Sequence, residues 1–271
     1  PENANPVVIG AVRLAVGGLA LLLFVLIQKK LTFRNWPIRV TIVAAISMAA
    51  YQPLFFQAVS MTGVAVGTMV AIGSAPILAG ILEWLMKRSI PKKQWWMATT
   101  MAIIGVLLLF VNTNQGEVNL SPLGISMALG AGLSFALYTL VSKQLLEQQA
   151  PEAVVAVVFT GSAILLTPIL FFYDLSWLLQ PTGIGIALHL GLFATAIAYL
   201  FFVHGLTGVT ASTAVTLSLA EPLTAAVLGV FLVGEHLPFL SWIGIALLFI
   251  GLGFLSYAPK EKGSMKKKHA S

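Results

Sequence analysis

The chain has 271 residues, of which 58% are hydrophobic and only 9% are charged, and its formal net charge is +6. Soluble domains carry charge on roughly a quarter of their residues, so this composition excludes an ordinary soluble protein and indicates a polytopic membrane protein. The absence of cysteine excludes disulfides, thiolate metal sites and cysteine nucleophiles.

Nine apolar segments reach the length of roughly 20 residues that a membrane-spanning helix needs. In chain order they are predicted at about 6–28, 38–60, 64–86, 94–112, 122–145, 152–173, 182–206, 209–233 and 239–258. Turn-forming and polar residues separate them, and most connections are short, so consecutive helices should be antiparallel neighbours. The predicted fold class is therefore an all-α bundle surrounded by the lipid bilayer.

The lysine and arginine residues lie almost entirely in alternate loops. Except for Arg13, all of the 15 belong to one set of loops or to the C-terminal tail: Lys29, Lys30, Arg34, Arg39, Lys87, Arg88, Lys92, Lys93, Lys143, Lys260, Lys262, Lys266, Lys267 and Lys268. Basic loops stay on the cytoplasmic side, so this set and the tail at 259–271 are predicted to be cytoplasmic, in a bacterial inner (plasma) membrane. The basic residues form no aromatic-studded face, so no nucleic-acid partner is expected.

Two parts of the chain, 51–110 and 198–257, resemble each other at a spacing of 146 residues. The matched positions are Phe55–Phe56 with Phe201–Phe202, Ala65 with Ala211, Pro76 with Pro222, Ala79 with Ala225, Leu82 with Leu228, and Ile104–Gly105 with Ile250–Gly251. The aligned prolines, each halfway along an apolar segment, are the least expected by chance. Such a duplication in an apolar chain is typical of secondary transporters, which enclose a site between two related bundles.

The duplication divides the membrane domain into a first repeat at 1–113, with four helices, and a second repeat at 121–258, with five. The partner of segment 122–145 would precede Pro1, so we expect a tenth helix upstream. With that helix the two repeats would have opposite topology. A pseudo-twofold axis in the membrane plane would then relate them, which supports alternating access.

Glu221 is the main candidate for function, because an ionisable residue at mid-membrane depth costs about 2.5–3.5 kcal/mol unless it meets a partner or a cavity. It lies near the middle of segment 209–233, on a polar helix face with Thr216 and next to Pro222, which loosens the helix. Its equivalent is Ala75, so the charge belongs to one repeat only. Glu221 could carry a coupling proton, contact a substrate amine, or form a structural ion pair or hydrogen bond at a kink.

Other ionisable residues within the apolar segments leave several readings open. Arg13, seven residues into its helix, could receive a substrate carboxylate or phosphate, pair with Glu221, or extend toward the membrane surface. His189 is expected to be a packing residue or a proton relay. Glu83 and Lys87 have the spacing i and i+4 and predict a local salt bridge.

Neutral polar and aromatic residues at similar depth complete the predicted cavity: Tyr51, Gln52, Tyr138, Tyr199 and Thr216. Aromatic rings with a polar tip suit small organic solutes. Pro76 and Pro222 are predicted hinges. The sequence has no metal-binding, phosphate-cradling or nucleophile motif, so no catalytic residue, metal or cofactor is predicted, and a coupling proton is the one exception considered.

These features resemble the drug/metabolite transporter superfamily, and in particular its ten-helix, EamA-type family. The residues that carry the resemblance are Arg13 within 13–20, Ala75–Pro76, Glu221–Pro222, Gly234–Glu235, Trp242–Gly244 and Gly251. The resemblance extends to about Tyr257 and implies ten helices in an inverted repeat around a central cavity. It also implies transport of small metabolites, commonly amino acids and related compounds, often outward. The chain departs from the pattern in lacking the first helix and in having Ser89 where the second repeat has Glu235.

The predicted function is that of a secondary transporter of small polar or amphipathic metabolites of the amino-acid type. It would act as an exporter, by alternating access around a midplane cavity. A gradient-independent facilitator or channel of the same fold is the first alternative. A membrane-embedded enzyme is a remote one, because it would need reactive polar residues that converge at one depth.

Overall fold

The computed structural model describes residues 5–31, 36–88, 91–110, 121–234 and 236–257. The α-helices are α1 (Pro6–Ile27), α2 (Ile38–Thr62), α3 (Val64–Lys87), α4 (Lys93–Phe110), α5 (Pro122–Leu145), α6 (Pro151–Leu170), α7 (Pro181–Gly191), α8 (Ala198–Gly208), α9 (Ala211–Leu217), α10 (Ala220–Leu228) and α11 (Phe239–Ser256). A 3-10 turn at Ser176–Leu179 precedes α7. Residues named above that lie outside the described residues are Pro1, Arg34, Ser89, Glu235 and the tail at 259–271.

The nine predicted spans are confirmed, since the described ranges contain nine helices long and apolar enough to cross a membrane. The seventh span joins α7 and α8 through a π-helical segment at Leu192–Ile197. The eighth span consists of α9, α10 and a second π-helical segment at Gly229–Val233. One side of the bundle carries Lys30, Lys87 and Lys143, and it is called the basic end below.

Several helix starts are encoded by residues next to them in the chain. Helices α1, α5, α6 and α7 each begin with proline, whose missing N–H would have no partner in the first turn. The Asn5 side chain accepts a hydrogen bond from the Val7 N–H at 2.9 Å and so caps α1. The Ser121 hydroxyl accepts one from the Gly124 N–H at 3.3 Å and caps α5.

The two aligned prolines have different effects on their helices. Pro76 lies inside α3, which continues without interruption to Lys87. Pro222 lies in the first turn of α10, directly after the eighth span is interrupted at 218–219. There the Glu221 N–H donates to the Ser218 carbonyl at 2.9 Å, a bond across three residues in place of four. The hinge roles stay predictions, but only Pro222 adjoins a helix break.

The contact between α4 and α11 relates the two halves of the chain. A methyl group added to Gly105 would lie 2.7 Å from the Gly244 carbonyl oxygen, so the two backbones touch. A methyl group added to Gly251 would lie 2.9 Å from the Ala98 carbonyl oxygen. Gly244 is the 146-residue equivalent of Ala98, and Gly251 is that of Gly105. When each half is mapped onto the other, the contact of Gly105 with Gly244 becomes the contact of Gly251 with Ala98, and the reverse. A twofold relation requires this exchange.

These contacts also give the direction of the twofold axis. The N-terminal half of α4 meets the C-terminal half of α11, so the two helices are antiparallel. A twofold axis that relates two antiparallel helices is perpendicular to them, and for helices that span a membrane it lies in the membrane plane. This packing supports the opposite topology predicted for the repeats, whose boundaries at 1–113 and 121–258 stay a prediction.

A second pair of helix contacts is related by the same spacing of 146 residues, to within one residue. In the contact of α1 with α7, a methyl group on Gly17 would lie 2.9 Å from the Gly191 carbonyl oxygen. In the contact of α2 with α6, the Ser162 hydroxyl donates to the Ala45 carbonyl at 2.9 Å. The duplicated sequence therefore corresponds to duplicated helix packing.

Replacing Gly244 with leucine should destabilise the protein, because a side chain cannot fit where the backbones of α4 and α11 touch. Overpacking of this kind costs on the order of 1–3 kcal/mol. Thermal unfolding of the purified protein in detergent measures the loss. Gly253→Leu is the matched control on the same helix, since no atom lies within 4 Å of its Cβ position. Equal melting temperatures of the two variants would contradict this packing.

Candidate functional site

One face of α1 carries Arg13 with one glycine before it and one glycine after it. A methyl group on Gly10 would lie 3.0 Å from Gln52 Oε1, so α1 approaches α2 closely at this point. At Gly17 the same helix touches the seventh span, next to Gly191. The two glycines lie three residues before and four residues after the arginine, which places all three on one helix face. Arg13 is therefore held between α2 and the seventh span.

Arg13 has no bonding partner for its Nε atom among the described residues, although that atom is buried. Its guanidinium interacts electrostatically with Tyr51, Tyr199 and Glu221. The ion pairs found in the described part of the chain do not include one between Arg13 and Glu221. A buried N–H group without an acceptor costs free energy, so this site is completed only when water or a ligand supplies one.

Gln52 adds a second unpaired donor beside Arg13. The side chain is only 1% exposed, and its Nε2 atom has no hydrogen-bond partner within the described ranges. The Oε1 atom of the same amide faces Gly10, one helical turn before Arg13 on α1. Two unpaired N–H donors on neighbouring helices can bind an anionic oxygen group such as a carboxylate.

An aromatic cluster brings together the three tyrosines that were predicted to line the cavity. The ring centroids of Tyr138 and Tyr199 are 6.1 Å apart. Tyr51 and Tyr138 both contact Phe135, with centroids at 5.9 Å and 6.3 Å. Helices α2, α5 and α8 therefore meet through these rings. Two of the rings, those of Tyr51 and Tyr199, also interact electrostatically with Arg13.

Three phenylalanines of this cluster were missed by the sequence analysis. Phe159 and Phe202 have ring centroids 4.6 Å and 5.9 Å from that of Tyr199. Phe135 lies three residues before Tyr138, so its helical spacing could have identified it. The other two gave no separate signal, because phenylalanine is equally common on helix faces that contact lipid.

Glu221 is the acidic member of this group. It is the second residue of α10, it is exposed, and it takes part in none of the ion pairs of the described residues. Its equivalent, Ala75, is 3% exposed and packs against α5 near Gly132. The same position thus serves helix packing in one repeat and provides an accessible charge in the other.

Two predicted site residues lie away from this group. Thr216 is fully buried, and its hydroxyl lies 3.1 Å from the Thr99 hydroxyl on α4. It also donates to the Ser212 carbonyl at 3.0 Å, so it joins helices instead of lining the cluster. His189 is exposed on α7, beside a shallow apolar groove, and its ring centroid is 5.4 Å from that of Phe193.

The salt bridge predicted for Glu83 and Lys87 is confirmed, with Nζ and Oε1 3.3 Å apart. Glu83 is buried, and its second oxygen accepts a hydrogen bond from the Ser212 N–H on α9, which the sequence analysis did not predict. Within the described ranges no group of three His, Cys, Asp or Glu side chains is suited to a metal ion.

The model of the EamA-like transporter family matches residues 1–111 and 122–257. The chain is 53% identical over 271 residues to the uncharacterized transporter YwfM of Bacillus subtilis (strain 168), covering 100% of this chain and 91% of the relative. It is 27% identical over 265 residues to the threonine/homoserine exporter RhtA of Escherichia coli (strain K12), covering 93% of this chain and 82% of the relative.

A solved crystal structure superimposes on this fold with a TM-score of 0.79 at 18% sequence identity. The match covers 93% of this chain and 87% of the other. At that identity the likeness concerns the fold alone, and it confirms the all-helical architecture.

Thr99→Val and Thr216→Val should each lower the stability of the protein, because each removes the buried hydrogen bond that joins the two hydroxyls. A neutral hydrogen bond contributes about 0.5–1.5 kcal/mol, and removal of both partners should cost less than the sum of the single losses. Denaturant unfolding of the two single variants and the double variant measures this coupling. Fully additive losses would contradict a direct bond between the two hydroxyls.

Proposed function

Because the chain belongs to the EamA-like transporter family, it is a membrane transporter of small molecules and not an enzyme, and we propose that it exports an amino-acid-like metabolite. The observation that carries this proposal is the buried Arg13 Nε–H group, which has no acceptor among the described residues, in a guanidinium that interacts electrostatically with Tyr51, Tyr199 and Glu221. The site has a positive and a negative group that do not neutralise each other in an ion pair.

A zwitterion supplies the two charges that this site lacks. Its carboxylate can accept hydrogen bonds from Arg13 and from the unpaired Nε2 atom of Gln52. Its ammonium group can bind the accessible carboxylate of Glu221. The rings of Tyr138 and Tyr199 form an amphipathic wall for the remainder of a small solute. The relatives named as threonine/homoserine exporters support this class of substrate.

The charge of the loops gives the orientation of the bundle in the membrane. The basic end carries Lys30, Lys87 and Lys143, so we assign it to the cytoplasm of a bacterial cell, according to the distribution of Lys and Arg in membrane proteins. Substrate would enter from this end and leave at the opposite end. The pseudo-twofold packing of α4 on α11 supports alternating access, in which the two halves exchange conformations around the site.

A gradient-independent facilitator or channel of the same fold is the second candidate, since the match to a transporter family does not by itself include a coupling ion. The effect of an imposed pH gradient on net flux separates a coupled carrier from a facilitator, and counterflow separates either carrier from a channel. A carrier exchanges labelled for unlabelled solute with saturable kinetics, whereas a pore does neither.

Arg13→Gln should lower uptake of labelled threonine or homoserine into proteoliposomes roughly tenfold or more, because a hydrogen bond to a charged group contributes about 1.5–3 kcal/mol. Arg39→Gln is the matched control, since Arg39 is exposed at the start of α2 on the basic end. A panel of amino acids, organic cations and organic acids tests the class of substrate. Unchanged uptake in the Arg13 variant, or uptake of solutes without a carboxylate alone, would contradict the proposed site.

Glu221→Gln should abolish the dependence of transport on a pH gradient, because the amide cannot bind and release a proton. Counterflow should remain measurable, since it needs no net proton movement. The comparison uses proteoliposomes of the unaltered protein and of the variant, with and without an imposed gradient. Gradient-driven flux that is equal in both would exclude Glu221 as the coupling group.

A further inference from the structure

The turn between α8 and α9, at the basic end, is held by two oppositely charged side chains. Lys143 on α5 donates from Nζ to the carbonyl oxygens of Leu206 and Thr207, at 2.7 Å and 2.9 Å. Glu83 on α3 accepts from the Ser212 N–H at 3.0 Å. The cation therefore caps the C-terminus of one helix and the anion caps the N-terminus of the next, which is the favourable arrangement for both helix dipoles.

Glu83 is well suited to fix this end of the bundle, because it is only 5% exposed. Both of its oxygens are used, one by Lys87 on its own helix and the other by the backbone of α9. If α9 moved away from α3, the buried carboxylate would lose a charge-assisted hydrogen bond, which makes separation of the two helices costly.

Directly beneath this bond, small and apolar side chains close the space between α3, α5 and α9. The buried cluster consists of Ala75, Ala79, Ala136, Leu140, Ala211 and Val215. Ala79 is 0% exposed and Ala211 is 1% exposed, so no solvent path passes between them. The basic end is therefore closed at the contact of α3 with α9.

The 146-residue relation identifies the corresponding place at the opposite end. The equivalents of Ala79 and Ala211 are Ala225 on α10 and Ala65 on α3. Here Ala225 is exposed and Ala65 is partly exposed. Within the described ranges α10 packs mainly against α11 and α4, and it makes no contact with α3 comparable to that of α9. Among the described residues, the helix contact that closes the basic end thus has no equivalent at the opposite end.

The charges at the two ends differ as well. The equivalents of Glu83 and Ser212 are Gly229 and Val66, so these two positions offer no carboxylate for such a bond. The interaction that fixes the basic end therefore has no counterpart in the other repeat.

We propose that Glu83 is a one-sided latch that keeps the basic end closed in the empty transporter. When the latch opens, Ala79 and Ala211 separate, and Ala65 and Ala225 approach each other to close the opposite end. This inference rests on the proposed alternating access, but it concerns the equilibrium between the two conformations and not the identity of the substrate.

Disulfide cross-linking tests the latch cleanly, because the chain contains no cysteine. One variant carries cysteines at Ala79 and Ala211, the other at Ala65 and Ala225, and each is oxidised in proteoliposomes without substrate. The first pair should cross-link readily and the second poorly. Adding Glu83→Gln should raise the yield of the second pair several-fold and lower that of the first, and Glu83→Leu should do so more strongly.

Two further substitutions serve as comparisons. Lys143→Gln should shift the yields in the same direction, because it releases the same turn. Glu152→Gln is the matched control: it breaks the 2.8 Å ion pair with Lys30 at the same end and should leave both yields unchanged.

Yields that stay the same in the Glu83→Gln, Glu83→Leu and Lys143→Gln backgrounds would overturn the proposal, as would an equal shift with Glu152→Gln. The assay needs no substrate, so its failure is distinguishable from failure of the proposed function. A shift in cross-linking without transport of amino acids would leave the latch standing and reject the substrate class. Normal transport of amino acids without a shift in cross-linking would reject the latch and leave the substrate class standing.

Discussion

A guanidinium group without an acceptor, placed among membrane helices, is the constraint on which this structure depends. Arg13 can occupy its position because Gly10 and Gly17 let α1 approach α2 and the seventh span on either side of it. A charge in such a place costs free energy, since hydrocarbon solvates it poorly. Charges that persist there usually have a function. The surrounding polar groups do not pair with it in the described part of the chain, which leaves that task to water or to a ligand.

The seventh and eighth spans are both irregular where they meet the site. Leu192–Ile197 is π-helical; there the Thr195 hydroxyl donates to the Leu190 carbonyl, and the Thr195 side chain lies against Gly17 of α1. The eighth span is interrupted just before Glu221. Departures from α-helical bonding inside membrane helices often occur at functional sites, because they reorient side chains and free backbone groups. The equivalent spans of the first repeat, α2 and α3, have no such interruption.

Much of this architecture was predictable from the sequence, because apolar length and loop charge are local properties. The nine spans and the bond of Glu83 to Lys87 follow from composition and spacing within single segments. The features that could not be predicted depend on how each helix is rotated about its axis and on which helices lie next to it. Whether Thr216 faces a cavity or another helix is decided by how α9 packs on α4, and the cap that Glu83 provides for α9 joins residues that are far apart in the chain.

The packing of α4 on α11 has a consequence for how motion in this molecule is measured. The twofold relation maps the contacts of α4 with α11 onto each other. A conformational change that exchanges the roles of the two halves would therefore leave these contacts unchanged. Under the proposed alternating access, this helix pair would be a fixed reference while other helices move. Spectroscopic labels attached there would serve as fixed points for distances to α9 and α10, and a binding protein directed at that surface would hold the molecule without arresting it.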